Sequence, residues 1–134
     1  MKKSLFLTLL FMVSFLFYYV PNSQAQEREI EVVMQDYLEY LRSGDTEGIL
    51  SLLTDPLLSE RRKLLERNSA YSEFLRDTYR GADMLIRGIK EIGTNKRAVD
   101  VEISFGDQGA PLKTRLILKR EGGLWKISEE ISDM

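Results

Sequence analysis

The side chains that could perform chemistry in this sequence are carboxylates and tyrosines. The 134 residues include no histidine and no cysteine, so the chain can form neither a Ser-His-Asp nor a Cys-His nucleophile. It also lacks the thiolate and imidazole ligands of zinc sites. The G-x-S-x-G, S-x-x-K, G-x-G-x-x-G and P-loop patterns are missing as well. We therefore expect no cofactor and no metal site, and most hydrolase chemistry is excluded.

Asp45 is the carboxylate whose surroundings are easiest to interpret. An apolar stripe at helical spacing precedes it, Gly44 follows that stripe, and a second stripe begins at Ile49. The first stripe is formed by Ile30, Val33, Met34, Tyr37, Leu38 and Leu41. Asp45 thus stands where a carboxylate accepts hydrogen bonds from the first free N–H groups of a helix. Since such bonds favour the charged form, we interpret Asp45 as a helix cap rather than a proton carrier.

Two more helices are predicted before residue 82. Asp55-Pro56 marks the start of the third helix, whose leucines share one face, and Asn68 or Ser69 caps the fourth, which Gly81 closes. The third helix carries the basic run "ERRK" at 60–63 and also Arg67. This cluster could touch anionic lipid head groups, but the interspersed glutamates favour an ordinary solvated face.

From residue 83 the hydrophobic period changes from helical to twofold, which predicts a sheet. Val99, Val101, Ile103 and Phe105 alternate with polar residues in the clearest strand. A turn at "GDQGAP", 106–111, leads to the next strand and would place Glu102 near Arg115. "EGG" at 121–123 then turns the chain into a last strand.

Two charged residues interrupt the apolar alternation of these strands. Glu129 shares a parity with Trp125 and Ile127, and Arg87 shares one with Leu85 and Ile89. If both point inward, they form a charge pair in a cavity that could orient a ligand. Alternatively, a bulge at Gly88 turns Arg87 outward and Glu129 lies at the open end of the sheet. We predict that Tyr37 and Tyr71 contact the same ligand as Arg87 and Glu129.

Residues 1–25 have the three zones of a secretory signal peptide. Lys2 and Lys3 are followed by the apolar stretch Leu5–Val20, and Ser23 and Ala25 occupy the −3 and −1 positions of a cleavage site. The apolar stretch is shorter than the roughly 20 residues of a membrane-spanning helix, so cleavage is favoured over an anchor. We expect a periplasmic or secreted product at 26–134, one domain with a net charge near −4. That charge argues against nucleic acid as a partner.

The order of these segments resembles the nuclear transport factor 2-like superfamily, which shares the cystatin-like cone. The resemblance rests on "LRSGDTEGILSLL" after the first helix and "LKREGGLWKI" before the last strand, and it is greatest to small exported members of uncharacterised function. It implies an α+β fold in which N-terminal helices pack on a curved four-stranded antiparallel sheet. It also implies a possible homodimer through the open sheet face. Superfamily members range from isomerases to binding domains, so the fold alone supplies no activity.

Two functions agree with the sequence. The first is an exported, non-enzymatic domain that binds a small amphipathic ligand or a protein partner. The second is a lyase or isomerase in which Glu129 is the base and a tyrosine stabilises an oxyanion. We favour the first, with the membrane involved only through the signal peptide. An enclosed cavity where Glu129 meets a tyrosine hydroxyl would favour the enzyme, whereas a filled cone would favour binding or assembly.

Overall fold

A computed structural model describes residues 22–106 and 109–132 of the chain. Most of the predicted signal peptide and part of the predicted turn at 106–111 lie outside these residues. Within these described ranges, four helices are followed by four strands. They are α1 (Asn22–Ser43), α2 (Thr46–Ser51), α3 (Leu57–Arg67), α4 (Tyr71–Tyr79), β1 (Asp83–Gly93), β2 (Lys96–Ser104), β3 (Leu112–Glu121) and β4 (Leu124–Ser132). The expected helix-then-sheet order is confirmed.

The break between α1 and α2 confirms the interpretation of Asp45. Gly44 adopts φ +67°, a left-handed conformation that glycine enters without a Cβ clash. Asp45 is the N-cap of α2, and its carboxylate accepts from the Gly48 N–H at 2.9 Å. Asp45 therefore begins a helix, and its side chain is engaged in doing so.

The boundaries of α3 and α4 agree with the sequence in position and differ in capping. Asp55 Oδ1 accepts from the backbone N–H of Ser59 at 3.0 Å and from its hydroxyl at 2.6 Å. These two bonds lower the pKa of the exposed Asp55 carboxyl below its usual range. The N-cap of α4 is Ala70, not Asn68 or Ser69 as expected. Asn68 Oδ1 instead accepts from the Ala70 N–H, one residue before the helix begins.

The four strands form one antiparallel sheet in the order β1-β2-β3-β4. Its inner face packs against α1 and the shorter helices around a single apolar core. Val99, Leu116, Leu118 and Ile127 are all at most 1 % exposed. Leu53, between α2 and α3, adds a short parallel bridge to β4. Among the described residues, no helix is long and apolar enough to cross a membrane.

The cross-strand register corrects one predicted ion pair. Arg115 lies opposite Asp100, and its guanidinium donates to that carboxylate at 2.7 Å. Glu102 lies opposite Lys113 and accepts instead from Arg87. The register is set by apolar pairs on the inner face, such as Val99 opposite Leu116, because a slip would expose them. The cross-strand partner of Glu102 is therefore Lys113, two residues from the predicted Arg115.

Candidate functional site

The four residues predicted to contact a ligand lie on two sides of the sheet. Tyr37 is buried on α1 and Tyr71 is half-buried at the start of α4, both on the side that the helices cover. Arg87 and Glu129 are exposed. An inward-facing pair of Arg87 and Glu129 is therefore wrong, and the structure does not bring these two residues to the tyrosines.

Bulges in two strands cause this separation. In β1 the register shifts between Ile86 and Gly88, so Arg87 is the unpaired extra residue, as the bulge interpretation expected. Its guanidinium donates to Glu102 at 2.8 Å. In β4 the partners of Leu118 and Ile117 are Ile127 and Glu129, which leaves Ser128 as the extra residue.

The bulge at Ser128 exchanges the roles of two neighbouring glutamates. Ser128 is fully buried and its hydroxyl donates to the Ile117 carbonyl at 3.1 Å. Beyond it the alternation is inverted, so Glu129 lies on the outer face. Glu130, opposite the buried Leu116, lies on the inner face. The inward carboxylate is thus Glu130.

Glu130 meets the Arg61 guanidinium, which α3 directs into the cone. Arg61 Nη2 pairs with Glu130 Oε2, and Arg61 Nη1 donates to the Tyr71 hydroxyl at 2.9 Å. The Arg61 and Glu130 side chains are only 25 % and 23 % exposed. The prediction that "ERRK" is simply a solvated face is therefore wrong for Arg61. We call Arg61, Glu130, Tyr37, Tyr71 and Tyr79 the inner polar cluster.

Burial and neighbouring charges shift the pKa values of three residues in the inner polar cluster. Burial, reinforced by the Glu130 charge, raises the pKa of Tyr37 far above its ordinary value of about 10. The same two causes raise the pKa of Tyr79. Burial alone would lower the pKa of Arg61, but the nearby Tyr37 and Glu130 outweigh it and the pKa is raised. The Tyr37 and Tyr79 phenols are thus neutral, and Arg61 is a permanent cation.

Little space remains beside the inner polar cluster. The space left beside it is about 10 Å³, and it is lined by Tyr37, Leu41, Thr46, Ile49, Leu50, Arg61, Leu65 and Tyr71. A space of this size accommodates about one water molecule. The interior around Arg61 is therefore nearly filled, and the cluster that fills it is polar.

The raised pKa of Tyr37 predicts a specific loss of stability at alkaline pH. Above pH ~10 the unfolded tyrosine ionises while the folded one stays neutral, so the free energy of unfolding falls by about 1.4 kcal/mol per pH unit for this group. Below pH ~10 both states are neutral and the loss is absent. We expect the Tyr37→Phe variant to show a shallower decline between pH 10 and 12, measured by urea unfolding. A Tyr40→Phe control that flattens the decline equally would contradict this assignment.

The described surface offers a larger concavity between α1, α2 and the start of β4. This groove has a volume of about 420 Å³ and is lined by Glu29, Val32, Val33, Asp36, Ser51, Leu52 and Gly123–Lys126. Val32 is 54 % exposed and Leu124 is 64 % exposed. Trp125 lies in its wall, with the Arg97 guanidinium 5.2 Å from the ring centroid on the indole. The groove is thus mostly apolar, with charged groups at its rim.

The sequence pattern did not predict the inward Arg61–Glu130 pair, and it did not predict the groove between α1 and β4. Arg61 stands in a run of charged residues that is typical of an exposed face, and Glu130 stands one residue from the position that alternation places inside. For the groove a signal existed, because Val32 lies beside the apolar stripe of α1 and Leu124 follows a glycine turn. Neither residue indicates by itself that α1 and β4 meet.

The described residues offer no metal centre. No group of three or more Asp or Glu side chains is close enough to hold an ion within 22–106 and 109–132. The carboxylates are spread over the surface instead, several in ion pairs with arginines.

The protein is an α+β domain in which helices pack on the concave side of a curved antiparallel sheet. Solved structures with this architecture identify the fold. The chain is similar to NTF2-like proteins of unknown function from Shewanella oneidensis MR-1 and Silicibacter pomeroyi DSS-3, each with a TM-score of 0.59 and 10% sequence identity. These comparisons cover 80% and 83% of this chain and 98% and 97% of those chains.

A third NTF2-like protein of unknown function, from Shewanella baltica OS155, has a TM-score of 0.54 and 14% identity. It is matched over 81% of this chain and 93% of its own. No protein-family model and no curated protein sequence matches the chain. The chain therefore has the nuclear transport factor 2-like fold, as the sequence resemblance implied.

Proposed function

We propose that this protein is an exported, non-enzymatic binding domain that holds a small amphipathic molecule in the groove between α1 and β4. The observation that carries the proposal is the volume of about 420 Å³ with an apolar lining and a charged rim. Small-molecule sites are concave and mostly apolar, typically of 300–1,000 Å³, with a few polar groups that fix orientation.

The lining of the groove suits both parts of such a ligand. Val32, Leu52 and Leu124 offer an apolar surface to a hydrocarbon body. Glu29, Asp36 and Lys126 at the rim can meet a polar head. The area that a ligand covers on Val32 and Leu124 is now exposed to water, and its burial contributes roughly 25 cal/mol per Å².

The arrangement of the carboxylates supports binding rather than catalysis. Glu129, the expected base, lies on the outer sheet face and is exposed, whereas the tyrosines lie on the helix side. The inward carboxylate, Glu130, is already paired with Arg61. A lyase or isomerase that uses Glu129 with a core tyrosine lacks the required convergence of groups.

The sole tryptophan of the chain makes ligand binding measurable without a label. Trp125 lines the groove, so a bound amphiphile should shift its fluorescence. We expect a saturable, one-to-one change with dodecylamine, dodecanoate or dodecyl maltoside, titrated below the micelle concentration. Val32→Asp should weaken binding at least tenfold, since it places a charge in the apolar contact.

A matched control separates the groove from general hydrophobic adsorption. Leu85 is 51 % exposed on β1, away from the groove. Leu85→Asp introduces the same charge at a similar exposure and should leave the affinity unchanged. Absence of saturable binding by all three amphiphiles, or equal losses in the two variants, would contradict the proposal.

Export and oligomeric state are further parts of this proposal. The predicted signal peptide at 1–25 supports a periplasmic or secreted product, and N-terminal sequencing of the protein from its host should find Gln26 first. A homodimer through the outer sheet face rests on the fold resemblance. Such a dimer would cover that face and is therefore the alternative to any other partner there. Native mass spectrometry of the purified protein measures both the subunit number and any retained small molecule.

A further inference from the structure

Three lysines lie side by side on the outer face of the sheet. Lys96 on β2 is the register partner of Lys119 on β3, and Lys119 is the register partner of Lys126 on β4. Lys119 and Lys126 point outward, because their chain neighbours Leu118 and Ile127 are fully buried on the inner face. Lys96 lies on the same outer face because it is the register partner of Lys119. Neighbouring strands lie about 4.8 Å apart, so the row crosses three strands within roughly 10 Å. We call these residues the lysine row.

In the described part of the chain, the lysine row forms none of the ion pairs with carboxylates that other charged residues on the same face form. Like charges directly opposite on antiparallel strands are destabilising. The next charged pairs along the sheet avoid this, because Asp100 binds Arg115 and Glu102 binds Arg87. Among the described residues, no carboxylate lies within ion-pair distance of the three lysines. The acids nearest in register lie on the two adjoining rows, Glu121 opposite Leu124 and Glu129 opposite Ile117.

Exposed apolar side chains lie at the same end of the sheet. The β1–β2 and β3–β4 turns adjoin there, and the Arg120 N–H donates to the Asn95 carbonyl between them at 2.9 Å. Ile92, just before the first turn, is 46 % exposed, and Leu124 follows the second. Within the described residues, this end of the domain thus combines three lysines that form no ion pair with two exposed apolar side chains.

We infer that the lysine row is a docking site for an anionic phospholipid surface. Basic side chains near such a surface contribute about 1 kcal/mol each, and exposed apolar residues add binding when they enter the interfacial region. The lysine row would meet lipid phosphates while Ile92 and Leu124 reach between head groups. The inference goes beyond the proposed ligand groove, since Lys96, Lys119 and Ile92 do not line it, whereas Lys126 and Leu124 belong to both surfaces.

The basic residues of α3 provide the natural comparison. Arg62, Lys63 and Arg67 are exposed, but Glu60 and Glu66 alternate with them. Arg61 is withdrawn into the inner polar cluster. α3 therefore has basic residues without an uncompensated row, which makes it a control surface of similar composition.

Vesicle sedimentation tests the inference on the mature chain. We expect binding to vesicles of 70% phosphatidylcholine and 30% phosphatidylglycerol at low salt, and none to pure phosphatidylcholine. Lys96→Gln with Lys119→Gln should weaken binding about 25-fold, at about fivefold per lysine. Lys63→Gln with Arg67→Gln removes the same charge from α3 and should change binding less than twofold. Ile92→Ser should also weaken binding.

The outcomes separate the lysine row from the alternatives. Equal losses in the two double variants would overturn the inference, because only net charge would then matter. Binding to pure phosphatidylcholine, or absence of binding to anionic vesicles, would overturn it as well. Displacement from the vesicles by 10 mM inorganic phosphate at constant ionic strength would assign the row to free phosphate and overturn the lipid site. Amphiphile titration of the lysine variant by Trp125 fluorescence checks the groove separately.

Discussion

Replacement of Arg61 by alanine is expected to lower the free energy of unfolding by about 3 kcal/mol. The substitution leaves Glu130 largely buried without its counter-ion and removes the donor that the Tyr71 hydroxyl accepts from. Breaking one side of a buried ion pair costs more than the pair contributes, because the remaining charge stays poorly solvated. Urea unfolding followed by circular dichroism measures the loss.

Two further variants test whether the uncompensated charge is the cause. Arg62→Ala alters the neighbouring exposed arginine and should change stability by less than about 0.5 kcal/mol. Arg61→Met combined with Glu130→Leu replaces the pair by apolar groups of similar size and should recover most of the loss. A double variant as unstable as Arg61→Ala would show that packing, and not charge, dominates at this position.

The second large effect is expected from Gly44→Ala, which should cost about 3 kcal/mol. Gly44 has φ +67°, where an L-residue is strained. A Cβ at this position would lie 2.4 Å from the Ser72 carbonyl oxygen, a backbone atom that cannot rotate away. The Ser72 hydroxyl also donates to the Gly44 carbonyl at 2.6 Å, so separation of the two segments would lose this bond. The expected loss is visible as a lower urea midpoint.

Gly122→Ala separates the two contributions to this loss. Gly122 has φ +57°, but nothing lies within 4 Å of the point that a Cβ would occupy there. This variant therefore carries the left-handed strain alone and should cost about 1 kcal/mol. If both glycine variants lose the same stability, the close approach of α4 to Gly44 has no energetic role.

The fold was largely predictable because its signals are local. Period 3.6 in α1, period 2 in β2 and the Gly44-Asp45 break each depend on residues within about ten positions of one another. The Asp45 cap formed as expected for the same reason. Contacts across strands were less accessible, and Arg115 pairs two residues from its predicted partner because the buried pairs of β2 and β3 fix the register.

The candidate site was predictable only in part. Tyr37 and Tyr71 lie in the interior as a helical face predicts, but Arg87 and Glu129 lie on the other side of the sheet. One extra residue at Ser128 inverts the alternation, which brings Glu130 inside in place of Glu129. A bulge adds no distinctive residue type to the sequence, so alternation alone could not locate it.

The sequence by itself determined the classes of chemistry that this protein lacks, the order of helices and strands, and the apolar faces that form the core. Those properties follow from residue type and short-range spacing. Tertiary structure decided that Arg61 turns inward to meet Glu130 and Tyr71, and that α1 and β4 flank an apolar groove. It also decided that three lysines stand in one row. Each of these depends on segments distant in the chain, whose contact is set by packing and strand register rather than by neighbouring residues.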